Sequence, residues 1–324
     1  MLMIKRIILI SISIYTFFSV IAQQAPSPEE NIPFLVTMGK DADSSWGDED
    51  KLQVFFFLVP ADYSEPIYLR VFDPDIGGQF DELNETFNTR TRFSIYGGEQ
   101  TWTHPLIQEG KSYGEVESGT LLASKIFGND AKYDNDYYTF GPFNPFEGEY
   151  VEKFDGRIFK IVSEGLEGND GNLYRYFLSS SPNKNLPIEG ANIFTYKYTF
   201  RLHNDQNQIS QIYPFIDDKT TSIEISNFDW DNDGFIRIFS ISKNGITAPV
   251  SGDNKWSTSR FPITEEERNT TIEVQFIKDK KRKINNNNVV IIVKNQYGHN
   301  LPFFASPLGG IPIYIPKIKI NKVQ

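Results

Sequence analysis

Between Phe194 and Leu202 the chain alternates without a break. Phe194, Tyr196, Tyr198, Phe200 and Leu202 are apolar, and Thr195, Lys197, Thr199 and Arg201 are polar. A period of two sends the apolar set to one face of a sheet and the polar set to the other, so this segment predicts one strand. Ile272, Val274 and Phe276 alternate with Glu273 and Gln275 in the same way. Further strands are predicted at 53–59, 67–72, 92–96, 157–162, 173–178, 222–228, 235–241 and 289–294. An edge strand is predicted at 311–318, where Pro312 and Pro316 bar a central position. Gly-, Asn- and Asp-rich turns such as Gly168-Asn169-Asp170-Gly171 separate them. Helical spacing is scarce: a capping box at Thr264-Glu265-Glu266-Glu267 and the run 121–127 predict two short helices. The stretch 97–150 has neither period and is expected to form long loops rich in Tyr and Phe.

A weak repeat divides the chain. Val59-Pro60-Ala61-Asp62 precedes Ile67-Tyr68-Leu69-Arg70-Val71-Phe72-Asp73-Pro74-Asp75-Ile76-Gly77-Gly78. Tyr213-Pro214-Phe215-Ile216-Asp217 precedes Ile223-Glu224-Ile225-Ser226-Asn227-Phe228-Asp229-Trp230-Asp231-Asn232-Asp233-Gly234. Both copies end a strand on Phe-Asp-x-Asp and then Gly, at a domain-sized separation. The expected fold is all-β: two tandem antiparallel β-sandwich domains, residues 33–203 and 204–324, the first carrying the long aromatic loops. A linker, 23–32, precedes them.

Residues 1–22 have the form of a cleaved secretory signal peptide. Lys5 and Arg6 open it, an apolar run from Ile7 to Ile21 follows, and small Ala22 precedes a polar stretch with prolines. That run is about 15 residues, short of the ~20 a membrane span needs, and no later segment has the apolarity of one. Cysteine is absent, which removes disulfides, thiolate metal ligands and lipidated cysteine alike. Losing Lys5 and Arg6 with the leader takes the net charge from −10 to −12. Phosphate-bearing partners would be repelled by that charge, so no nucleic acid partner is expected. The Ala22-Gln23-Gln24 junction resembles the leaders of proteins exported by the gliding-associated secretion system of gram-negative bacteria. That resemblance implies export to the periplasm, the outer-membrane periphery or the cell surface.

The densest chemistry is Asp229-Trp230-Asp231-Asn232-Asp233-Gly234. Calcium takes six to eight oxygens, and carboxylates at alternate positions of a Gly-terminated loop converge on one ion. The spacing resembles the first half of an EF-hand loop, with Ile236 at its apolar position. It departs where that loop needs a bidentate Glu and this chain has Ser240, and strands flank it rather than helices. Asp229, Asp231 and Asp233 are therefore expected calcium ligands in a β-loop. Asp73 and Asp75 follow in the other copy, and Asp41 and Asp43 in the acidic run 41–50, which would fold back to the strand end at Asp73. Two acidic loops at one end of a sandwich resemble the C2-type arrangement, which implies calcium there.

Tyr133, Tyr137 and Tyr138 lie among Asp and Asn in a third acidic loop and suggest a surface for sugar rings. Catalysis has little support. His104, His203 and His299 are scattered, and no His-Glu-x-x-His, Gly-x-Ser-x-Gly or phosphate-binding Gly loop occurs. The basic run Lys278-Asp279-Lys280-Lys281-Arg282-Lys283 reads as a solvated hairpin tip. The expected function is a non-catalytic, calcium-stabilised binding or structural protein of the bacterial envelope, associating with an envelope protein assembly. A carbohydrate-binding module is the alternative, and a glycoside hydrolase a third reading.

Overall fold

The structure, a computed structural model, describes residues 23–109, 118–279, 284, 286–311 and 313–314. Strands dominate it, all in antiparallel sheets, and no helix among these residues is long and apolar enough to cross a membrane. The expected signal peptide, the basic cluster at 280–283 and most of the expected terminal strand at 311–318 lie outside the described residues.

The largest sheet runs, from one edge, through Trp256–Pro262, Ser222–Phe228, Asn288–Asn295, Tyr198–Arg201, Leu35–Met38, Gly171–Ser179, Ile67–Phe72 and Tyr137–Phe143. A second sheet runs through Phe303–Phe304, Asn192–Thr195, Leu52–Pro60, Gly156–Glu167, Arg90–Gly97 and Thr120–Phe127. A third contains Ile209–Ile212, Glu273–Lys278, Gly234–Phe239 and Asn244–Ala248.

One strand order occurs twice in this arrangement. Take Leu35–Met38, Leu52–Pro60, Ile67–Phe72, Arg90–Gly97, Thr120–Phe127, Tyr137–Phe143, Gly156–Glu167 and Gly171–Ser179 as first to eighth. The first, eighth, third and sixth are then neighbours in one sheet, and the second, seventh, fourth and fifth in the other. Starting again at Tyr198–Arg201 and ending at Asn288–Asn295, the second half of the chain repeats both orders. This is the order of a jelly roll. The two first strands pair with each other at Phe200 and Leu35, which makes the largest sheet continuous across both halves.

Period two explains the core. Phe55, Phe57 and Val59 face the main interior, while Val54 and Phe56 pack on the other side with Trp102, Phe194 and Phe304. Buried on both faces, Leu52–Pro60 needs the apolar run it has from Val54 to Val59. Each such side chain removed from water contributes about 1.5–3 kcal/mol, which a chain without disulfides depends on.

Three expectations change. The alternating segment 194–202 is two strands in different sheets, because the chain crosses between layers at Tyr196 and Lys197. The expected helix at 121–127 is the edge strand Thr120–Phe127, where Leu121 and Ile126 stay exposed. The stretch 97–150 supplies two full strands rather than loops alone. The capping box does form, with Thr264 N donating to Glu267 Oε2 at 2.9 Å, on a single 3-10 turn.

Candidate metal centres

Strand Ile67–Phe72 ends at Asp73, whose φ of 55° is left-handed. Asp tolerates that conformation when its side chain bonds locally, and here Asn135 N donates to Asp73 Oδ1 at 2.9 Å. Asp73 N donates to Asp136 O at 2.9 Å and Ile76 N to Gly128 O at 3.1 Å, so the acidic loop 128–136 is laid across 73–78. Gly78 permits the approach: a Cβ there would stand 3.3 Å from Asp134 Cγ at a φ of 65°.

Carboxylate oxygens of Asp73, Asp75 and Asp134 lie within 4.8 Å of one another. Asp73 and Asp75 are each 1% exposed. Neither oxygen of Asp75 has a hydrogen-bond partner, and Asp73 Oδ2 also has none. Asp81 stands behind them, accepting from Gly77 N and Leu173 N at 2.7 Å each. Burial pushes Asp75 up to about 7, helped by the close approach of Asp134 and the charge of Asp73. Burial likewise takes Asp73 to about 6, against the Asn135 amide, and lifts Asp81 well above the carboxylate range. Acids crowded in this way resist ionising together, and a divalent cation relieves them.

The second copy forms a related centre at the end of Ser222–Phe228. Oxygens of Asp229, Asp231 and Asp253 lie within 4.8 Å of one another. Asp229 has a φ of 60°, matching Asp73, and its Oδ1 accepts from Asn254 N at 2.5 Å. Burial raises it to about 7, with Asp231, Asp253 and Asp43 adding to the effect. Five antiparallel steps separate the third strands of the two halves, so the two centres lie at opposite ends of the shared sheet.

Asp233 does not belong to this centre. Left-handed residues at 229, 231 and 232 change the phase of the loop, so Asp233 turns inward at the start of Gly234–Phe239. It is fully buried there and ion-paired to buried Lys278. Asp41 and Asp43 do not reach Asp73. Asp41 Oδ2 accepts from Gly168 N at 3.1 Å, and Asp43 Oδ1 caps a turn by accepting from Ser45 N at 2.9 Å, which lowers its pKa below the usual carboxylate value. Their loop folds over the outer face of the sheet toward the other centre, where Ser44 Oγ donates to Asn254 Oδ1 at 2.7 Å. Farther along it, Glu49 and Asp50 hold the buried ammonium of Lys197 at 2.5 and 2.7 Å, so that acidic group already has its cation.

Asp134 and Asp253 were not among the sequence candidates. Each comes from the loop before the sixth strand of its half, a position only the folded topology brings beside the third.

The tyrosines form no common plane. Tyr133 and Tyr138 meet at 82°, with Lys125 Nζ 4.8 and 4.1 Å from their ring centres. Tyr137, one residue along the strand, takes the other face under Arg70, whose Cζ is 4.3 Å from its ring centre. Trp230 and Trp102 are buried. No family model matches this chain, and no curated protein sequence is detectably similar to it.

Proposed function

We propose that the chain is an exported, non-catalytic binding or structural protein of the bacterial envelope, whose strand-end loops are pinned by calcium. The observation that carries the metal is Asp75: a buried carboxylate with both oxygens unpartnered, facing Asp73 and Asp134. A buried charge without a partner is strongly unfavourable, and an oxygen-liganded cation is the partner this donor set suits. Asp73, Asp75 and Asp134 would hold one ion, with Asn129 Oδ1 beside them at the Gly77 turn. Asp229, Asp231 and Asp253 would hold a second. Bound there, calcium fastens a connection between sheets to a strand end.

The repeated strand order supports the tandem-sandwich reading and argues for a junction before Tyr198 rather than at 203. The leader and the net charge support export and an envelope protein partner.

Thermal unfolding in millimolar calcium and in EDTA tests the metal. A ligand bound only by the folded state stabilises it by about 2.7 kcal/mol at a hundred times its dissociation constant. The wild type is expected to gain a stabilisation of this order, Asp75→Ala to lose most of it, and Asp231→Ala to lose a smaller share. An unchanged midpoint in the wild type would sink the calcium reading.

A further inference from the structure

A cleft of about 330 Å³ opens where the two halves of the chain meet. Trp102 and Phe154 come from the first half, and Phe215, Asp217, Asn295, His299 and Phe304 from the second. Its size lies at the lower end of the range for small-molecule sites, which favour such junctions. The aromatic wall is fixed. Trp102 and Phe154 meet edge to face at 5.3 Å and 68°, Phe215 and Phe304 at 6.1 Å and 88°, and Trp102 Nε1 donates to Tyr196 Oη at 3.0 Å. Phe304 is locked by the pairing of Phe303–Phe304 with Asn192–Thr195.

The polar groups are held in place as well, with capacity to spare. Asp217 Oδ1 accepts from Lys219 N at 3.0 Å and Thr220 Oγ1 at 2.7 Å, which orients the carboxylate and leaves Oδ2 as an acceptor. Asn295 Oδ1 accepts from Tyr297 N and His299 N, which leaves its Nδ2 as a donor. Lys153 and the exposed His299 add donors from opposite halves of the chain.

We infer that this cleft binds a neutral saccharide ring. A pyranose offers an apolar C–H face to aromatic walls and a belt of hydroxyls, each both donor and acceptor. The cleft presents that combination: the half-buried rings of Phe154 and Phe215, backed by Trp102 and Phe304, together with a fixed acceptor and several donors. One carboxylate against one ammonium leaves little net charge, which disfavours nucleotides and other polyanions as well as free cations. The inference is independent of the metal centres, which lie on other loops. It transfers the sugar-binding expectation from Tyr133, Tyr137 and Tyr138 to the cleft beside Trp102.

Ligand-observed NMR and tryptophan fluorescence, with glucose, mannose, galactose and N-acetylglucosamine as probes, test it on the whole protein. At least one sugar is expected to bind saturably at millimolar concentration, unchanged by EDTA. Asp217→Asn keeps the Oδ1 bonds of the turn but replaces the Oδ2 acceptor, and should weaken binding about tenfold, as should His299→Ala with Lys153→Ala. That factor corresponds to about 1.4 kcal/mol. Absence of saturable binding by all four sugars overturns the inference, as does binding that these variants leave untouched.

Discussion

Asp233→Asn is expected to lower stability by about 3–5 kcal/mol, equally in calcium and in EDTA. Asp233 is 0% exposed, and its partner Lys278 has a side chain only 3% exposed. The two are tied again through the backbone, where Asp279 N donates to Asp233 O at 2.9 Å and Gly234 pairs with Lys278. Removing the carboxylate charge strands an ammonium in the interior, and that stranded charge sets the size of the loss. Replacing both members, Asp233→Asn with Lys278→Met, should recover most of it, because no charge then remains unpaired. Urea midpoints of the single and double variants measure this. A single variant as stable as the wild type would remove the structural role assigned to Asp233. A loss confined to calcium-containing buffer would return the residue to the metal centre.

Asp233 also shows where sequence reading stops. Alternate carboxylates in Asp229-Trp230-Asp231-Asn232-Asp233-Gly234 share one side only if the backbone keeps a constant phase. Three left-handed residues break that phase, and Trp230, 1% exposed, anchors the loop to the core instead. Asp229, Asp231, Asp73 and Asp75 were legible because a strand end with Asp beside Gly marks a turn wherever it occurs. Asp134 and Asp253 were not, since their partners lie about 60 and 22 residues upstream and meet them only through the strand order.

The fold divides in the same way. Segments 67–72 and 222–228 were readable to the residue, because each is half-buried with turns at both ends. The break at Tyr196 was invisible, since alternation continues through it while the chain changes sheets. Thr120–Phe127 lies on a sheet edge with little to bury, so it lacks the period that marks strands elsewhere. The repeat of Phe-Asp-x-Asp turned out to mark a matching position, the end of the third strand, in each half.

Glu30 carries a pH effect that one substitution isolates. It ends the short turn Pro28–Glu30 at 0% exposure, with Oε2 accepting from Ser27 N at 2.6 Å and from Tyr198 Oη at 3.1 Å. Its other oxygen is buried without a partner. Burial raises the carboxyl to about 8. The Ser27 amide and Tyr198 hydroxyl oppose the shift, and neighbouring Glu29 adds to it. Tyr213 also faces this pocket, its Oη donating to Glu29 O at 3.1 Å. In the unfolded chain the group ionises near the ordinary glutamate value, about 4.3. Between that pH and about 8 the folded state therefore binds the extra proton, so stability falls as pH rises through this window. At 1.36 kcal/mol per unit the full loss is roughly 4–5 kcal/mol. Glu30→Gln cannot ionise, so its stability relative to the wild type should climb by about 4 kcal/mol from the acidic to the alkaline end of the window. Taking the difference cancels the other raised acids, Asp48, Glu49, Asp73, Asp75, Asp81 and Asp229, which are present in both proteins. Urea midpoints across the window measure the climb. A difference that stays flat with pH would show that Glu30 is ionised in the folded protein, with water or a cation reaching its free oxygen.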